Sequence, residues 1–157
     1  MKPALVLALA VDLLAVATLS RGDEQKIALK DVPNAVLNAV KAKYPTADLK
    51  EATKETEKKD VVTYEISLIN EGKKITVSVD QNAKIKEIET EIAVGDLPKS
   101  VTEALAAKYP KATLKKAEEI VEFEDGKEEK EYEVEIVTSE GKSMEVTLSP
   151  SGKIDED

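Results

Sequence analysis

The sequence predicts an α+β protein made of two tandem repeats, each an N-terminal helix packed on a four-stranded antiparallel meander sheet. Three observations carry this: a segment that recurs without gaps, a helical period that opens each copy, and a strand period that follows it. Residues 32–52 (VPNAVLNAVKAKYPTADLKEA) align on residues 97–117 (LPKSVTEALAAKYPKATLKKA) with eleven of 21 positions identical, the self-similarity that marks a repeated unit. After a three-residue expansion in the second copy, Tyr64-Glu65-Ile66 falls on Tyr132-Glu133-Val134. One further inserted residue brings Gly72-Lys73 onto Gly141-Lys142, Val77 onto Val146 and Lys84-Ile85 onto Lys153-Ile154. The repeats so defined span residues 31–92 and 96–157.

Each copy opens with a helix. Pro33 and Pro98 suit a first helical turn, where a missing N–H costs nothing. Val32, Val36, Ala39 and Val40 share one face, as do Leu97, Val101, Ala104 and Leu105, at the spacing of a helix that covers a core. Tyr44-Pro45 and Tyr109-Pro110 end the helices, because a residue before proline is pushed out of the α region.

The period then changes to two. Tyr64, Ile66 and Leu68 alternate with Glu65 and Ser67, and Ile75, Val77 and Val79 with Thr76 and Ser78. Tyr132, Val134 and Ile136 alternate with Glu133 and Glu135, and Met144, Val146 and Leu148 with Glu145 and Thr147. Each sheet therefore has an apolar face for its helix and a polar face. By parity, Tyr64 and Tyr132 belong to the core. The segments at Gly72 and Gly141 read as hairpin turns in which glycine supplies positive φ, and those at 80–83 and 149–152 as the next turns. A first strand is expected around Leu49–Thr56 and Leu114–Phe123, and short final strands at Ile85–Ile92 and near Ile154.

Composition sets the limits. Hydrophobic residues make up 41% of the chain and charged residues 35%, which is too apolar for disorder and too charged for a membrane protein. With one Phe, four Tyr and no Trp, the core is built from small aliphatic side chains. Units of about 60 residues with such cores are marginal alone, so the copies are expected to lean on each other. The chain has no Cys and no His, which removes disulfides, thiolate sites, the usual general base and the commonest metal ligand. The net charge of −9 opposes nucleic-acid binding, which rests on phosphate neutralisation, and favours a basic partner.

Residues 1–20 carry one Lys, an apolar stretch from Ala4 to Leu19 and small residues around Ala15-Val16-Ala17, the pattern of a secretory signal peptide. Asp12 interrupts the run, at a cost of about 2.5–3.5 kcal/mol in a spanning helix, and argues against a permanent anchor. The expected mature protein is periplasmic or secreted, monomeric, and without a membrane anchor after signal cleavage. An ordinary buried helix over residues 4–19 is the competing reading.

Two charged segments have features of binding sites. Asp80-x-Asn82 has the alternate oxygens that begin a calcium loop, and Glu91 occupies its twelfth place, but Ile85 stands where the required glycine would be, and a turn is the better reading. The acidic run Glu118–Glu131 reads as a charged strand pair with a solvated turn at Asp125-Gly126, since edge strands carry charge against aggregation. No carboxylate pair is set apart by an oxyanion donor or an aromatic pocket. No catalytic residue, metal ligand or cofactor is expected.

The succession of Val-Pro or Leu-Pro, an Ala/Val-rich helix, Lys-Tyr-Pro-x-Ala-x-Leu, a charged strand, Tyr-Glu-Ile/Val, Gly-Lys and a turn before Lys-Ile resembles the PepSY-like family, also described as β-lactamase-inhibitor-like. The resemblance covers residues 31–157, once per copy. It implies a periplasmic or secreted bacterial protein whose paired units form a continuous concave sheet with a binding surface. The polar strand residues Glu65, Ser67, Thr76, Ser78, Glu133, Glu135, Glu145 and Thr147 would line that surface and meet a partner.

The expected function is a non-enzymatic binding module that inhibits or modulates an envelope protein or peptidase. The alternative is a passive periplasmic protein that responds to solutes or cations. Tight binding sites concentrate their energy in Trp, Tyr and Arg, whereas this chain has no Trp and its only Arg is Arg21. That scarcity argues against inhibition of a β-lactamase.

Overall fold

A computed structural model describes residues 23–56 and 61–155; the signal peptide expected over residues 1–20 lies outside the described residues. Among the described residues the chain forms, in order, β1 (Asp23–Ile27), α1 (Asn34–Lys43), β2 (Asp48–Thr56), β3 (Val62–Asn70), β4 (Lys73–Asp80), β5 (Ile85–Ile92), α2 (Lys99–Lys108), β6 (Thr113–Glu124), β7 (Lys127–Val137) and β8 (Ser143–Leu148). A short 3₁₀ turn precedes each helix, at Leu29–Asp31 and Val94–Asp96.

The expectation of two tandem repeats, each a helix on its own four-stranded meander, is overturned. The described strands form one eight-stranded antiparallel sheet whose spatial order is the chain order, β1 to β8. The physical reason lies in β5, which the sequence reading assigned as the last strand of the first unit. Its second edge is not free: it pairs with β6 from Glu87 opposite Glu122 to Ile92 opposite Ala117. An exposed strand edge is a row of unpaired N–H and C=O groups, and β6 covers this one. The sequence reading also omitted β1, which pairs with β2 from Asp23 opposite Thr56 to Ile27 opposite Ala52. Thus β1 stands before α1 as β5 stands before α2. The final strand expected near Ile154 is reduced to a single bridge to Leu148.

The helices form where the proline and apolar spacing place them. Pro33 and Pro98 are N-caps with extended ψ, and their carbonyls accept from Leu37 N and Thr102 N at 3.1 Å. Tyr44 and Tyr109 are the C-caps, each donating its backbone N–H to the carbonyl four residues earlier at 2.8 Å. Val36 and Val40 of α1 and Val101 and Leu105 of α2 are buried against the sheet. Burying each such side chain contributes roughly 1.5–3 kcal/mol.

Two core clusters result. One gathers Val32, Val36, Val40, Ile66, Leu68, Val77 and Val79, and the other Leu97, Val101, Leu105, Val134, Ile136, Val146 and Leu148. Tyr132 is buried in the second and Tyr64 packs against the first, as their parity requires. Strand β5 serves both, with Ile88 in the first cluster and Ile92 packed on the second, while Phe123 of β6 reaches back to the first.

The turns follow the local chemistry. Glu71-Gly72 and Asp125-Gly126 both have positive φ at successive residues, the two-residue form that matches strand twist. Asp80 closes the next turn: its Oδ1 accepts from Asn82 N at 2.8 Å and Lys84 N at 2.9 Å. The acidic run is a strand pair, but not at an edge, because β6 and β7 lie between β5 and β8. The part of its charge beyond Glu122 is solvated because the hairpin is longer than its neighbours: β5 pairs no further than Glu122 and β8 no further than Tyr132. Residues Lys127 to Lys130 are exposed.

Candidate functional site

Strand alternation divides the sheet into a face covered by the helices and an open face. All eight residues expected at a partner surface share the open face. Register pairs Glu65 with Ser78 and Ser67 with Thr76 on β3 and β4, and Glu133 with Thr147 and Glu135 with Glu145 on β7 and β8. They form two groups and do not touch as one set, because β5 and β6 run between them. Ser67, Thr76, Glu135 and Glu145 line a groove of about 500 Å³ on this face; Glu65, Ser78, Glu133 and Thr147 lie outside its lining.

The strip between the groups holds the residues that sequence reasoning missed. Glu87, Glu89 and Glu91 of β5 face the same way as Ser78 and Thr76, with Ser78 opposite Glu87 and Thr76 opposite Glu89. On the far side Glu87 meets Glu122 and Glu91 meets Glu118, and Glu118 in turn meets Glu133. Their signal was present in the alternation of Ile88, Thr90 and Ile92 with Glu87, Glu89 and Glu91. What the sequence could not display was burial: Glu87 is 4% exposed and Glu89 5%, because β4 and β6 close over both flanks.

Buried carboxylates are costly as anions, and the site responds by holding protons. Burial, and then the charge of Glu122, raises Glu87 well above the usual carboxylate range. Burial, and then Glu87 itself, raises Glu89 further. The two side chains hydrogen-bond each other, which requires a proton on one of them. Glu87 Oε1 is buried with no hydrogen-bond partner. Glu133 is pushed up to about 7 by burial and by the charges of Glu145 and Glu118, against the pull of Lys116.

The amines of this face are engaged. Lys116 Nζ lies 2.9 Å from Glu118 Oε1; burial alone would lower its pKa, but the hydrogen bond and charge of Glu118 hold it above the ordinary lysine value. Lys74 Nζ lies 3.4 Å from Glu91 Oε2, and Lys50 pairs with Asp48. Ser143 Oγ donates to Glu135 Oε1 at 3.1 Å. The groove therefore presents a carboxylate-rich surface whose cations are already spent on local partners. Among the described residues no group of three or more His, Cys, Asp and Glu side chains is arranged to hold a metal ion. Chemically, the arrangement suits the reception of positive charge.

A family model described as "Putative beta-lactamase-inhibitor-like, PepSY-like" matches residues 20–87 and again residues 63–156. No curated protein sequence matches the chain. Among solved structures, a DUF2874 family protein from Bacteroides uniformis superposes with a TM-score of 0.66 at 21% identity, over 80% of this chain and 87% of that one. A protein from Bacteroides eggerthii described as "putative periplasmic" gives 0.66 at 17% identity, over 79% and 86%. A BLIP-like protein from Bacteroides fragilis gives 0.62 at 23% identity, over 79% and 83%. These likenesses establish the fold, and the double match of the family model, which spans both helices and every described strand, places the chain in the PepSY-like, β-lactamase-inhibitor-like family.

Proposed function

We propose that this protein is a non-catalytic periplasmic binding protein whose open sheet face receives a basic segment of an envelope protein or peptide. The observation that carries the reading is the asymmetry of the sheet: both helices cover the apolar face, while carboxylates crowd the groove on the other. Opposite charge steers association and sets register at such a face. A non-catalytic role fits Ser67 and Thr76, which line the groove without the imidazole that would activate a hydroxyl, the chain having no His. The periplasm is supported by the leader pattern over residues 1–20 and by the description of the Bacteroides eggerthii structure.

The test is face-specific crosslinking in intact cells. A photoreactive residue replacing Glu145 in the groove is expected to trap one dominant protein, with the yield falling as salt is raised. The same residue replacing exposed Lys41 on α1 is expected to trap none. Equal trapping from both positions, or none from Glu145, removes the reading.

A further inference from the structure

We infer that occupation of the groove by a cationic side chain is coupled to release of the proton held between Glu87 and Glu89. This rests on the binding role proposed for the same face and specifies how it is regulated. Glu87 and Glu89 lie two residues apart on one face of β5, both more than nine-tenths buried, in mutual hydrogen-bond contact. Glu89 contributes to the groove lining, whereas Glu87 does not; Glu87 keeps a buried oxygen without a partner.

Among the described residues, the elements packed against the pair bring it no cation of its own. From β4 it is faced by the hydroxyls of Ser78 and Thr76. From β6 come Glu122, Ile120 and Glu118, and from β7 the charges of Glu131 and Glu133. The nearby amines, Lys116 and Lys74, are bound to Glu118 and Glu91. The proton is thus the positive charge that keeps this buried pair together. An ammonium or guanidinium seated over Glu89 supplies the same charge from the groove. The Glu89 carboxyl then ionises, its O–H bond breaks, and the proton passes to water. Nothing else is consumed.

Burial and like charges place both groups above the ordinary range, so near neutral pH the pair still holds a proton that a seated cation can displace. Linkage fixes the sign: a ligand that binds the deprotonated form binds more tightly as pH rises, by up to about tenfold per pH unit for one proton released.

The experiment is calorimetric titration of the full chain with a hexalysine peptide, near neutral pH, in buffers of different ionisation enthalpy. Release of about one proton per peptide is expected, with affinity rising from about pH 6 to about pH 8. Glu89→Gln keeps a donor toward Glu87, as the protonated acid does, and should melt as a folded protein with its release of one proton per peptide lost and its pH dependence reduced to the part that Glu133 supplies. Glu87→Gln provides a second variant should the first fail to fold. Binding without proton release overturns the coupling and leaves the binding role standing. Release unchanged in the variants overturns the assignment to this pair. Absence of binding at every pH overturns both readings.

Discussion

The two halves of the sheet present nearly the same side chains to their helices and different ones to solvent. On the covered face Tyr64, Ile66 and Leu68 of β3 correspond to Tyr132, Val134 and Ile136 of β7, and all pack into or against a core cluster. On the open face Ser67 stands where Glu135 does, and Thr76 where Glu145 does. Core positions accept only changes that keep volume and polarity, so they hold the halves alike. On the open face the halves differ at these two positions, with hydroxyls in the first half and carboxylates in the second, while Glu65 matches Glu133 and Ser78 matches Thr147. Between them, β5 buries Glu87 and Glu89 beside the hydroxyl half. The small Ser78 and Thr76 therefore leave room, and no added charge, next to the buried acids.

The sharpest way to separate the halves is at their corresponding turns. Gly152 has φ +84, and a Cβ there would lie 2.4 Å from the Ser100 carbonyl oxygen at the start of α2, where Ser100 Oγ also donates to Pro150 O at 2.6 Å. Left-handed strain and the steric clash together predict that Gly152→Ala costs about 2–4 kcal/mol. Denaturant melts should show one transition at lower midpoint, since the sheet is continuous; two resolved transitions would mean that the halves unfold separately.

A second change imposes one half's open face on the other. Thr76→Glu copies Glu145 into the first half, directly opposite the buried Glu89. It is expected to destabilise by about 1–3 kcal/mol at about pH 8. The loss should shrink toward about pH 5: carboxyls whose folded pKa is raised are fully accommodated below their unfolded pKa, and lose stability as pH rises through the folded value. Equal stability of variant and parent at high pH would show that the hydroxyls are not required beside the acids.

The smallest effect is the reverse of the first. Ala83 occupies the position of Gly152 and has φ +62, a conformation that favours glycine. Ala83→Gly relieves left-handed strain but loosens the unfolded chain, for a net gain of about 0.5 kcal/mol. A melting temperature that falls instead would place the Ala83 side chain among the contacts that hold its turn.

The parts legible in the sequence are those encoded locally. Pro33 and Pro98 with the Val and Leu spacing behind them mark the helices, and Tyr64 to Leu68 or Tyr132 to Ile136 mark the strand faces, because each signal sits within a few residues. Strand β1 was not legible: Asp23–Ile27 has a single apolar residue and its partner lies beyond α1. The same holds for the joint between β5 and β6, formed across α2. Glu87 and Glu89 were missed for a different reason. A glutamate that will be buried reads like one that will be solvated, until the strands on both sides are known.

The strand order, identical to the chain order, bears on how the molecule is made. Every strand finds its partner in the strand just before it, so a chain delivered from one end can add strands one at a time. At each stage it exposes one growing edge to other molecules and waits for no distant segment. Most of these pairings close short turns, and β1–β2 and β5–β6 span one helix each; pairing between neighbours in the chain is fast relative to that of sheets with crossovers, and fewer long-lived open edges mean fewer chances to aggregate.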